Sequence, residues 1–218
     1  MTATPPIAAA KATATGTASA ADPAAPDAAP FRQRLIDGLA VAIRERGYRE
    51  TTVADIVRHA RTSRRTFYAE FSTKDECYVA LLRTTNQKMR HRIESSVDAA
   101  APWRDQVRQA VGAYIEAVAS EPEIMVSWIR ELPALGTVAR TVQREAMDMM
   151  TEMLLTLTDT EVFRTAGVGP LSRPMALLLL GGIRELTATT VEDGAEVRDL
   201  AEVATVAATA LLASKDAA

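Results

Sequence analysis

The chain has 218 residues, 48% apolar and 24% charged, with a formal net charge of −3, which is material enough for a buried core in one or two globular domains. Its longest uninterrupted apolar candidate, Met175 to Leu180, ends at two glycines and falls far short of the roughly 18 residues that argue for a membrane span. With Cys77 as its only cysteine and no basic-then-apolar order at its start, it can form no internal disulfide, and a cytoplasmic, reducing setting is expected.

Residues 1–30 are mostly Ala, Thr and Pro and are expected to be a disordered, solubilising tail. Their lone cation, Lys11, gives little basis for an arm reaching into a DNA groove. The first predicted helix runs from Phe31 to Arg46, with Leu35, Leu39 and Ile43 at i, i+4, i+8 and Ile36 and Ala40 widening the stripe. Gly47 is its natural stop. Thr52 and Asp55 have capping-box spacing for a short second helix whose apolar face is Val53, Ile56, Val57 and Ala60.

Arg61 and Thr62 leave room for only a tight turn before Ser63, a hydroxyl residue suited to cap a third helix carrying Phe67 and Phe71 at i, i+4. Two helices joined so closely must cross steeply. The third opens with Arg64 and Arg65, where the positive end of the helix dipole disfavours cations by a few tenths to about 1 kcal/mol each. An anion is therefore expected there. A phosphate oxygen fits, as does the N7/O6 edge of a guanine, onto which a guanidinium can fork. The competing reading is a solvated pair neutralised by Asp55, Glu70 or Asp75.

Thr73 and Glu76 have the spacing of another capping box, and Tyr78, Leu81, Leu82, Thr85, Met89 and Ile93 mark one face of a helix running to about Ser95. At 1.5 Å per residue a helix of ~20 residues spans about 30 Å, long enough to turn a tilt at one end into a displacement at the other. Cys77 reads as a small packed residue, with a redox-sensing thiol as the alternative. Breaks at Pro122, Pro133, 167–170 and Gly194 then divide the remainder into predicted helices at Trp103–Ser120, Glu123–Glu131, Leu135–Leu157, Ser172–Glu192 and Ala195–Ser214, with a helical turn at Glu161–Thr165. No alternating strand pattern competes, so the fold class is all-α. Charge follows the same division: 31–93 carries 14 Lys+Arg against 7 Asp+Glu, net +7, whereas 94–218 carries 10 against 19, net −9. A basic module on an acidic body suits a salt-dependent grip on DNA through one face.

Taken together, Gly47, Thr52-Val-Ala-Asp-Ile, Thr62-Ser63, Thr66-Phe67-Tyr68, Phe71 and Lys74-Asp75-Glu76 resemble the DNA-binding domain of the TetR family across Phe31 to Leu82. The resemblance implies a helix-turn-helix DNA-binding domain over 31–77 and a helical effector-binding and dimerisation domain over 78–218. It further implies a transcriptional regulator, usually a ligand-responsive repressor, that binds a palindromic operator as a homodimer and is released by a small molecule. On that reading the DNA-binding residues are Thr52, Thr62, Ser63, Arg64, Arg65, Thr66, Tyr68 and Lys74, with Thr52, Tyr68 and Lys74 on phosphates. For Tyr68, packing beside Phe67 and Phe71 is an equal alternative. Two residues depart from the family pattern. Arg61 stands where a glycine is common, at a cost of roughly 1–2 kcal/mol if the backbone there is left-handed; Arg65 replaces a residue that is often small, which bears on base preference.

In the body, Tyr114, Met125, Trp128, Met147, Met150, Met153 and Arg184 are candidate effector-lining residues, methionine adapting to irregular apolar shapes and tryptophan offering a flat surface. Ordinary core packing is the competing reading for each. Arg184-Glu185 interrupts an apolar stretch and calls for partners, either on neighbouring helices or on a ligand carboxylate or phosphate. The last two helices suit a four-helix homodimer interface. Gly181 and Gly182, each costing a helix about 1 kcal/mol, suggest close backbone approach to another helix or to a ligand. An enzyme finds few parts here. His59 and His91 are the only histidines, His91 with Glu94 lacks a nucleophile, and Gly167-Val-Gly169 is not a dinucleotide fingerprint. No cofactor is expected. An all-helical dimeric interaction module with a degenerate reader is the remaining alternative.

Overall fold

The structure, a computed structural model, describes residues 28–214, which form ten α-helices and two 3-10 segments with no strand among them. Residues 1–27 of the expected tail lie outside the described residues, and positions 28–30 instead open the first helix. That helix, α1 (Ala28–Glu50), is interrupted at Gly47, whose φ of 78° only a glycine adopts easily. Its apolar stripe is buried as the periodicity requires: Leu35, Leu39 and Ile43 are all at most 1% exposed.

Helices α2 (Val53–His59) and α3 (Arg64–Glu70) cross beneath α1, and α4 (Lys74–Ser96) leads away from them. Gly38 lets α1 and α2 come this close. A Cβ there would lie 2.7 Å from the carbonyl oxygen of Ile56 and 2.9 Å from the amide nitrogen of Ala60, both backbone atoms that cannot swing aside. Gly38→Ala is therefore expected to lower stability: the forced separation costs about 1–3 kcal/mol, more than the ~0.5–1 kcal/mol that alanine returns as a helix former. Urea unfolding of the two proteins measures the difference.

The body comprises α5 (Trp103–Ser120), α6 (Pro122–Arg130), α7 (Gly136–Thr158), α8 (Glu161–Thr165), α9 (Arg173–Glu192) and α10 (Leu200–Ala213). One departure from the expected boundaries has a clear cause. The last helix begins at Leu200 instead of Ala195, because Gly194 at φ 69° ends α9 and the chain then makes a 3-10 segment, Val197–Asp199, that buries Val197. The amides of Gly194 and Ala195 return to the carbonyls of Val191 and Thr190, closing the end of α9. A single apolar cluster runs from Leu35 to Leu212. Within it α4 contributes Cys77, Tyr78, Leu81 and Leu82 near one end and Met89 and Ile93 near the other, so one continuous helix joins reader and body. No helix among the described residues is long and apolar enough to cross a membrane.

Candidate nucleic-acid interface and effector cavity

Both reader helices are capped as their sequences dictate. Thr52 Oγ1 accepts from the Asp55 amide at 3.3 Å and the Thr52 amide donates to Asp55 Oδ2 at 3.0 Å, while the Thr52 hydroxyl donates to the same carboxylate oxygen at 2.6 Å. These bonds, with smaller help from Arg46 and Arg58, hold the Asp55 carboxyl below the usual carboxylate range. Ser63 Oγ accepts from the Thr66 amide at 3.1 Å and pairs with the Thr66 hydroxyl at 3.0 Å.

Between the helices, Arg61 is the one non-glycine residue of the described chain at positive φ, 51°. The left-handed turn therefore forms despite the arginine. Its strain is held by Arg34 of α1, whose guanidinium donates to the Ala60 carbonyl at 2.7 and 3.1 Å and to the Arg61 carbonyl at 2.8 Å. Those acceptors are end-of-helix carbonyls that α2 cannot satisfy itself. Arg32 does the same for α3, donating to the Glu70 carbonyl at 2.9 Å with its guanidinium 4.1 Å above the Phe71 ring. Arg61→Gly should raise stability by up to about 1 kcal/mol through relief of the left-handed strain. A lower melting temperature for the variant would contradict this account of the turn.

Most reader cations are already engaged. Arg44 pairs with Glu121, Arg46 and Arg58 with Asp55, and Arg58 also with Glu45. Arg64 and Arg65 are exposed and have no hydrogen bond or ion pair with any described residue. Of the carboxylates that could have neutralised them, Asp55 is taken as above and Asp75 by the Tyr48 hydroxyl, while Glu70 forms no ion pair with either arginine. Arg61, exposed beside them with no side-chain partner among the described residues, makes a third such cation. It was legible in the sequence only as a departure from a glycine.

The other expected DNA-facing residues divide into two groups. Tyr68 is 59% exposed, its ring meeting Phe67 edge-on at 5.3 Å, so it is not a core aromatic. Thr62 is half-buried with its amide bonded to the Val57 carbonyl. Thr52, Ser63 and Thr66 spend hydroxyl groups on caps. Lys74 also serves the backbone of the reader itself. Its ammonium donates to the carbonyls of Tyr48, Thr51 and Arg49 at 2.9, 2.8 and 3.4 Å and lies 4.3 Å over the Tyr48 ring. It ties the end of α1 to the start of α4. Lys74→Met should therefore cost about 1–3 kcal/mol of stability, since hydrogen bonds from a charged donor are lost. Unchanged unfolding in urea would return Lys74 to a purely surface role.

Cys77 is fully buried, its Sγ 3.9 Å from the Leu35 carbonyl, and burial pushes the thiol up to about 12. At neutral pH it is a packed thiol, not a reactive thiolate.

In the body six of the seven expected effector residues, Tyr114, Met125, Trp128, Met147, Met150 and Arg184, line one cavity of about 40 Å³. Two further cavities of about 50 Å³ continue from it between α5, α7 and α9. Met153 lines the nearer of these. Glu185 does not serve Arg184: it accepts from Arg130 at 2.8 and 3.0 Å, as does Glu192 at 2.7 and 2.9 Å. The guanidinium of Arg184 meets the Gln143 side-chain oxygen at 3.0 and 3.2 Å, with the Tyr114 phenol near enough to act on its charge, and its Nε is buried without a partner among the described residues. A roomier crevice of about 240 Å³ between reader and body is lined by charges of both signs, including Asp37, Lys88, Arg92 and Glu121. Its walls mix these charges with Ile36, Leu81, Met89 and Ile124, unlike the almost wholly apolar body cavities.

A sequence model described as bacterial regulatory proteins, tetR family, matches residues 35–81, which span α1 to the first part of α4. No curated protein matches the chain. Among solved structures, the fatty acid degradation regulator FadR from Bacillus halodurans superposes with a TM-score of 0.69 at 18% identity, covering 88% of this chain and all of that one. FadR from Bacillus subtilis, solved in complex with stearoyl-CoA, gives 0.68 at 18% identity over 80% of this chain and 95% of the other. A transcriptional regulator from Rhodococcus sp. Rha1 gives 0.66 at 21% identity over 80% and 94%. At such identities the likeness of the whole chain is one of fold, and the family likeness is confined to the matched reader. Residues 35–81 are thus a reader similar to that of the tetR family of bacterial regulatory proteins, carried by a chain that shares the fold of the transcriptional regulators it superposes on.

Proposed function

We propose that the protein is a ligand-responsive repressor that binds a partly palindromic operator as a homodimer and leaves it when a small molecule occupies the body. The reader is residues 31–77 and the effector-binding, dimerising body 78–218. The observation that carries the DNA half is the cluster of Arg61, Arg64 and Arg65 at the turn and the head of α3, exposed and unpaired among the described residues while neighbouring arginines are neutralised or bonded to carbonyls. Their missing partner is a polyanion. Tyr68 and Thr62 flank them as further donors, and the capped hydroxyls of Thr52, Ser63 and Thr66 hold the helices at the angle that presents them.

Dimerisation is supported by an apolar face that one copy leaves uncovered. On α9, Leu178 is 67% exposed and Leu186 40%, with Gly182 between them at i+4; on α10, Val206 is 61% exposed and Val203 50%. A Cβ on Gly181 or Gly182 would meet nothing within 4 Å. Close approach within the subunit therefore does not explain the two glycines, which supports close approach by a second copy.

A route from cavity to reader is also present. Ser127 lies on α6 between Met125 and Trp128 of the cavity wall and shares a 2.5 Å hydrogen bond with the Tyr78 hydroxyl of α4. Tyr78 stacks on Tyr48 at 3.9 Å, and Tyr48 is bound by Lys74 and Asp75. An effector that displaces α6 thus shifts the joint between α1 and α4, to the extent that it binds one arrangement better than the other. Sequencing the genomic fragments retained by the purified protein tests the proposal. The expected result is an enriched inverted repeat with half-sites roughly 34–36 Å apart or a multiple of that; retention without sequence preference contradicts it.

A further inference from the structure

The body cavities form a series. The void beside Arg184 shares Tyr114, Met150 and Leu180 with the next, and that one shares Ala110, Val111, Leu154 and Leu179 with the third. Along α7 they extend from Met147 to Thr158, on the order of 16 Å at 1.5 Å per residue. Their walls are almost wholly apolar and each is narrow, at about 40–50 Å³. Three methionines, Met147, Met150 and Met153, lie along this seam and can change rotamer to widen it at little cost.

The two ends differ. Leu212 and Phe163 line the far end. At the near end the Arg184 guanidinium is half-buried, bonded to a neutral amide and leaving Nε unpaired, with no carboxylate of the described residues in ion-pairing range. Desolvation pulls its pKa down, the direction expected for a cation short of an anion. A buried guanidinium without a carboxylate is costly and one with a forked carboxylate is not. Glu185, next to it in the chain, is committed to Arg130 instead.

We infer that the effector is an unbranched amphiphile with a terminal carboxylate, its head forked on Arg184 and its chain threaded along the α5–α7–α9 seam toward Phe163. This rests on the proposed role of the cavity as the effector site and adds the chemistry of what fills it. A bulky fused-ring ligand does not fit a string of narrow voids, and a neutral one leaves Arg184 unpaired.

Trp128, in the wall beside Arg184, reports binding by its fluorescence in the full chain. Dodecanoate, 1-dodecanol and dodecanoyl-CoA are titrated into the wild type and into Arg184→Met, Arg184→Gln and Arg184→Lys, with melting curves confirming that each variant folds. The wild type should bind the acid roughly tenfold or more tightly than the alcohol, the worth of one charge-assisted pair. The two neutral variants should lose that preference and keep alcohol binding, and Arg184→Lys should retain part of it. Equal binding of acid and alcohol by the wild type, or an acid preference that survives in Arg184→Met or Arg184→Gln, overturns the inference. So does Arg184-dependent binding of the thioester as tight as that of the acid, because the anion recognised then belongs to the coenzyme. Release of the selected DNA fragment is scored separately. Release by a neutral ligand with no dependence on Arg184 sinks the carboxylate site and leaves the repressor standing, whereas Arg184-dependent acid binding with no effect on DNA sinks the effector role alone.

Discussion

Gly182→Arg is expected to convert the protein to a folded monomer and to lower its operator affinity by roughly 10²–10⁴-fold, the avidity lost when two linked readers become one. Gly182 lies midway along the exposed Leu178–Leu186 stripe of α9, and a side chain there meets nothing in its own subunit. In an isolated chain the change should be favourable, because glycine in a helix interior costs about 0.8–1.0 kcal/mol relative to the best helix formers. Across a two-fold axis the same face is used by both copies, so a substitution at Gly182 enters the interface twice. Arginine would then put two like charges against apolar neighbours. The signs therefore separate the readings: sedimentation should show a monomer whose melting temperature no longer depends on concentration. A dimer that persists, with higher stability, would remove this face from the interface.

Arg64→Ala and Arg65→Ala are each expected to leave the fold intact, as neither side chain has a partner among the described residues to lose. Each should reduce discrimination at one base position by about 1–3 kcal/mol if it forks onto a guanine. An arginine on phosphate would instead weaken every sequence alike and reduce the salt slope by about one. Arg61 is the natural phosphate candidate of the three, because it precedes α3 and its backbone is pinned by Arg34. Lys74 differs from all of them. Its removal loosens the α1–α4 joint, so lower affinity in that variant should track lower stability.

The reader was legible almost residue by residue because local chemistry determines it. Thr52 with Asp55, Ser63 with Thr66 and Thr73 with Glu76 each form the cap that their spacing implies. One detail shifts in the third: the Glu76 carboxylate accepts from the Ser72 amide instead of that of Thr73. Long-range pairings were not legible. Nothing in the sequence near Arg34, Arg32 or Lys74 says that their donors close the ends of α2, α3 and α1, because those partners lie 23 to 38 residues away. Gly38 carried a faint signal, a glycine in an otherwise regular amphipathic helix, and its reason appears only when α2 is packed against it. The gathering of six body residues around one cavity followed from methionine and tryptophan chemistry, whereas the pairing of Glu185 with Arg130, which leaves Arg184 without an acid, required the fold.

The account depends on unpaired cations at the head of α3 finding their anions on DNA. Gel retardation of the wild type and of the Arg64→Ala/Arg65→Ala double variant, on the selected operator and on a scrambled duplex across a salt series, tests this most directly. The account predicts tight, salt-sensitive binding of the operator by the wild type, and a double variant that folds normally yet no longer prefers operator over scrambled DNA. A double variant that keeps the wild-type preference and salt slope would contradict it.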